Sequence, residues 1–94
     1  MLFSKKEKRY NKHRLHLDFS NSDESFFKVI ADLRDICTNH EIHGELQSLQ
    51  SHNRYAEYLW YTTKKEHEYR MTMALSELRL LIALNMYSCD IQIR

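Results

Sequence analysis

His16 and Asp18 stand two positions apart in a stretch where apolar and polar residues alternate, so an extended chain puts both side chains on one face. An imidazole beside a carboxylate can take and return a proton, the carboxylate holding the ring in one orientation. Tyr55 and Tyr61, in a second stretch of strand type, would join them if the two stretches pair. Catalysis needs more than this. No activated nucleophile, glycine-rich phosphate loop or cofactor motif accompanies the group, so the sequence points to a protein that is not an enzyme and carries no cofactor. A small dimeric α+β enzyme with a His/Asp/Tyr pocket is an alternative.

Two further spacings invite a chemical reading. Cys37, His40 and His43 recur every third residue, and thiolate and imidazole are zinc ligands. A fourth ligand is missing and Cys37 falls on the apolar stripe of a helix, so no metal is expected. Tyr61-Thr62-Thr63-Lys64 matches the Tyr-x-x-Lys element of nicking enzymes that attack DNA through a tyrosine. Those enzymes hold a metal with a His-hydrophobic-His pair, which His13-Arg14-Leu15-His16 does not supply.

Charge is distributed unevenly. Lys5, Lys6, Lys8, Arg9, Lys12 and Arg14 stand against Glu7 alone, a net +5 that leaves −4 for the rest of a chain whose total is +1. Residues 1–13 offer too few apolar groups for a persistent helical face and read as a flexible basic arm, with 14–94 a single domain. Those six cations could touch phosphate, which makes a nucleic-acid-binding accessory protein another alternative. Two cysteines make no disulfide framework, no signal-peptide pattern opens the chain, and no apolar run approaches the roughly 18 residues of a membrane span. A cytoplasmic protein without membrane contact is the expectation.

The elements that position these residues follow from periodicity. Leu15, Leu17 and Phe19 alternate with His16 and Asp18 and predict a strand over Arg14 to Phe19. Ser20 to Glu24 supply helix caps and first-turn acids, and Phe26, Val29, Ile30, Leu33, Ile36 and Cys37 form one stripe of a helix that ends near Asn39 or His40. Residues 41–50 fit either period. The aromatic, β-branched run from Tyr55 to Thr63 decides for a hairpin, with Ala56, Tyr58, Trp60 and Thr62 turned to the core and Tyr55, Glu57, Leu59 and Tyr61 turned away. A last strand covers Cys89 to Arg94. The order βαββαβ predicts a ferredoxin-like two-layer α+β sandwich with strands one and three central; an all-α domain, with 41–61 helical, is the alternative. On the open face of that sheet Asp18, Glu45, Glu57 and Asp90 would outweigh Arg94, which argues against nucleic acid there.

The longest helical pattern, Lys64 to Met86, carries two apolar faces. Met71, Ala74, Leu75, Leu78, Ile82 and Met86 fall on one stripe, and Tyr69, Met73, Leu80, Leu84 and Tyr87 fall nearly opposite. One stripe suffices for a monomer's core. The second therefore predicts a protein partner of unknown identity, met through Tyr69, Met73, Leu80, Leu84 and Tyr87 or through Tyr55, Leu59 and Tyr61 on the open sheet face. The expected function is binding: a homodimer, or an inhibitor, adaptor or immunity-type protein that occupies another surface.

Overall fold

The computed structural model describes residues 9–20, 22–49 and 54–94. Strand β1 runs Tyr10–Asp18, helix α1 Asp23–His40, β2 His43–Leu49, β3 Tyr55–Thr62, helix α2 Tyr69–Asn85 and β4 Asp90–Ile93, with one 3-10 turn at Lys65–His67 ahead of α2. The strands form one antiparallel sheet in the order β2-β3-β1-β4, so the protein is α+β with β1 and β3 central. The all-α alternative is overturned. His43, Gly44, Glu45 and Leu46 pair one for one with Tyr61, Trp60, Leu59 and Tyr58, and a helix there could make none of those bonds.

Register sorts the side chains into faces. Leu15 lies opposite Tyr58 and Leu17 opposite Ala56, and all four are buried in one core with Trp60, with Phe26, Val29, Leu33 and Ile36 of α1, and with Met71, Ala74 and Leu78 of α2. Both helices therefore cover the same face. Such a core tolerates little truncation: removing a fully buried Leu or Ile side chain to Ala typically costs about 2–5 kcal/mol.

The helices end by one device. Ser22 caps α1 at its start, its hydroxyl accepting the Ser25 N–H at 3.2 Å. At its end Glu41 takes a left-handed φ of 56°, which lets the Ile42 N–H reach back to the Cys37 carbonyl at 2.9 Å and buries Ile42. Met86 does the same for α2 at φ 56°, with the Tyr87 N–H on the Ile82 carbonyl at 3.0 Å.

Gly44, the chain's single glycine, sits in β2 for lack of space. A Cβ there would meet Cys37 Sγ at 2.5 Å and Tyr58 Cε1 at 2.8 Å, closer than side-chain carbons approach such atoms. Helix α1 can lie down on β2 only over a residue without a side chain.

Three expected boundaries shift. β1 starts at Tyr10 and not at Arg14, because Asn11 at φ 50° takes up a β-bulge between Tyr10 and His13 that hides the alternation. The helix expected from Lys64 starts at Tyr69; the N–H groups of His67 and Glu68 close three-residue turns on the Lys64 and Lys65 carbonyls first. At the other end, the left-handed turn at Met86 breaks the 100° period. Met86, expected in the core, is 89% exposed, and Tyr87, expected on the outer face, packs against the core.

Candidate interaction surfaces

The outer face of α2 is exposed where the second stripe places it. Tyr69, Met73, Leu80 and Leu84 are 58%, 52%, 56% and 71% exposed on the side of the helix opposite buried Met71, Ala74 and Leu78. Among the described residues nothing covers them. Between the large residues lie small exposed ones, Ser76 and Ala83.

The open sheet face is built differently from expectation. Leu59 is 7% exposed and Tyr61 only 1%, although both point away from the helices. The Arg9 guanidinium lies 4.3 Å from the centre of the Tyr61 ring, and the His43 ring stacks on the same tyrosine at 4.6 Å. Of the three residues expected to meet a partner here, Tyr55 alone keeps part of its surface, with His16 stacked on it at 5.6 Å and Arg54 over it at 5.1 Å.

His16 and Asp18 share this face without meeting as a pair. Register sets Glu57 directly across from His16, and Nδ1 of the imidazole bonds to Oε2 of Glu57. Asp18 instead accepts the Ser20 N–H at 2.9 Å and lies 3.9 Å from Nε of Arg54. The expected carboxylate is thus replaced by one from the neighbouring strand, which a sequence cannot show before register is known.

The charges on the face separate into two ends. Across the β1/β4 ladder Asp18 stands opposite Asp90 at one end, and Arg14 and Arg94 exchange backbone bonds at the other, the Arg94 N–H donating to the Arg14 carbonyl at 2.8 Å. Around that second end Arg9, Lys12, Arg14, Gln47, Leu59 and Arg94 line a depression of about 290 Å³. The reading of the face as acidic is corrected: Arg14, in phase with His16 and Asp18, belongs to it as much as Arg94 does, and the earlier start of the strand adds Lys12. Lys5, Lys6 and Lys8, the rest of the basic arm, lie outside the described residues.

Cys37, His40 and His43 diverge. Cys37 is buried under Gly44, His40 reaches α2 with Nε2 2.6 Å from Oε1 of Glu77, and His43 lies on Tyr61 across the sheet. Among the described residues no three His, Cys, Asp or Glu side chains converge as a metal site would require. Both cysteines are free. Burial pushes the Cys37 thiol up to about 11 and, with Asp90 and Asp18 adding to burial, Cys89 up to about 12, so neither is a nucleophile near neutral pH. Tyr61 of the Tyr-x-x-Lys element is buried, and the Thr62 hydroxyl donates to the Lys64 carbonyl at 3.1 Å. No helix among the described residues is long and apolar enough to cross a membrane.

Comparison of the chain with protein-family models, with curated proteins and with solved structures gives no match.

Proposed function

We propose that this is a ferredoxin-like binding protein of a reducing compartment such as the cytoplasm, and that it acts by docking through the outer face of α2, first of all onto a second copy of itself. The sheet order with both helices on one face supports the ferredoxin-like reading, and two unpaired thiols support the compartment. The fold hosts many functions and carries none of the argument.

The observation that carries the reading is the exposure of Tyr69, Met73, Leu80 and Leu84 on a helix whose other face is already in the core. They follow one another along one side of the helix as an exposed apolar strip, and strips of this kind on a monomer are often functional. The spacing suits a helix as partner. Tyr69, Met73, Ser76, Leu80 and Ala83 step alternately by four and three, the repeat of helices that pack side by side. An antiparallel register that sets Leu80 opposite Ser76 of a second copy also sets Met73 opposite Ala83, so large residues meet small ones on both sides of a two-fold axis.

Sedimentation velocity tests this. Wild type should run as a dimer at micromolar concentration, and Leu80→Glu with Leu84→Glu as a folded monomer, since each buried unpaired carboxylate costs several kcal/mol in the seam and none in the monomer. A monomeric wild type at that concentration overturns the dimer.

A further inference from the structure

The basic end of the open sheet face lies away from α2 and carries an inference independent of the dimer. We propose that it binds the phosphodiester backbone of a short stretch of single-stranded nucleic acid, with a base stacked beside the His43 and Arg9 planes.

Four cations line the depression there, and two carboxylates, Glu57 and Glu45, stand near two of them and are shared with His16 and His43, which leaves the site an excess of positive charge. Arg14 Nη1 is 3.9 Å from Oε1 of Glu57, whose other oxygen holds His16. Arg9 is 3.5 Å from Glu45, which His43 approaches more closely at 3.1 Å. Lys12 and Arg94 have no carboxylate at ion-pair distance among the described residues. Backbone bonding between Arg14 and Arg94 holds two guanidinium groups on neighbouring strands of one face. Like charges set opposite each other across a ladder are destabilising. An anion between them turns that cost into attraction, and planar guanidinium forks suit phosphate oxygens.

The site also offers flat surfaces. The side chains of Arg9 and His43 are 39% and 44% exposed, and both lie against Tyr61, so their planes are held while part of each faces solvent. Imidazole and guanidinium planes are the kind on which unpaired bases stack. From β4 to β2 the sheet is about 14 Å wide at three inter-strand spacings, room for a few nucleotides. Asp18 and Asp90 at the far end repel phosphate, so the strand crosses the sheet at its basic end and does not run its length. Duplex lacks the free bases such a surface would stack.

The test uses the full chain and a fluorescein-labelled eight-nucleotide oligouridylate, read by anisotropy at about 50 and 200 mM salt. Wild type should bind at the lower salt and weaken steeply at the higher. Arg94→Gln, combined with Arg14→Gln, should weaken binding at least tenfold while the melting temperature holds or rises, because a repulsive pair has been removed; Arg94→Lys should retain most of it. Arg94 is the informative position, since it is far in sequence from the arm. Equal binding by the double variant overturns the proposal, as does loss confined to a Lys5→Gln, Lys6→Gln, Lys8→Gln variant. So does binding of an oligonucleotide duplex as tight as that of the single strand. An oligothymidylate of the same length separates DNA from RNA: tighter binding of either assigns the source within the same chemistry.

Discussion

Nε2 of His40, the last residue of α1, lies 2.6 Å from Oε1 of Glu77 in the middle of α2. This contact, with Arg70 of α2 bonded to Glu41, ties the two helices together on the flank beside Met73 and helps keep the outer strip of α2 turned to solvent.

Breaking the contact should be mild for the fold. Glu77 is about two-fifths exposed, and pairs of this kind contribute roughly 0.2–1 kcal/mol. Glu77→Gln should lower the urea midpoint by an amount in that range, leaving circular dichroism unchanged; a loss of several kcal/mol would mean the pair holds the helices in place alone.

Gly44→Ala should be among the most damaging one-carbon additions in this chain. The new methyl would stand 2.5 Å from Cys37 Sγ, and overpacking of this kind costs about 1–3 kcal/mol. Adding Cys37→Ala makes room on one side, so the double variant should be less destabilised than the two single losses added together. Denaturant titration of the four proteins measures that coupling.

Met86→Gly should stabilise the monomer. A left-handed residue other than glycine costs about 1 kcal/mol, and the Met86 side chain returns no burial in the monomer, being 89% exposed. A rise of a few degrees in melting temperature is expected at low concentration. An unchanged or lowered value would show that the side chain is covered in solution.

Stability should fall on the alkaline side. Below the ordinary thiol value of 9.0, Cys37 and Cys89 are protonated in both folded and unfolded chains, and their contribution is fully present. Between that value and about 11 for Cys37, or about 12 for Cys89, the unfolded chain releases protons that the folded chain retains, so rising pH favours unfolding. Urea midpoints measured from pH 8 to 11 should decline, and a Cys37→Ala, Cys89→Ala variant should decline less steeply.

Much of the architecture was legible because single-face patterns dominate it. Leu15 and Leu17 alternate without interruption, and Phe26 to Cys37 keep one stripe, so strand and helix could be told apart locally. Four of the five outer residues of α2 were legible for the same reason. The fifth, Tyr87, was not, since a left-handed turn resets the angular count and the residues around it give no sign of one. The open sheet face resisted reading more deeply. Alternation says which side Tyr61 points to, but not that Arg9 and His43 lie on it. Net charge says nothing of how Arg14, Arg94, Asp18 and Asp90 divide between two ends, which depends on register across strands far apart in sequence.

The place of β1 between β3 and β4 has a consequence for biosynthesis. Both neighbours are downstream of it, so on the ribosome Tyr10–Asp18 emerges with two bare edges. At about 5–20 residues per second it waits on the order of seconds for Tyr55–Thr62, and longer for Asp90–Ile93. During that interval α1 is the helix available to cover Leu15 and Leu17, and β2, which emerges next, does not pair with β1. A nascent chain halted before β3 would present the stickiest form of this molecule to chaperones and to its own copies.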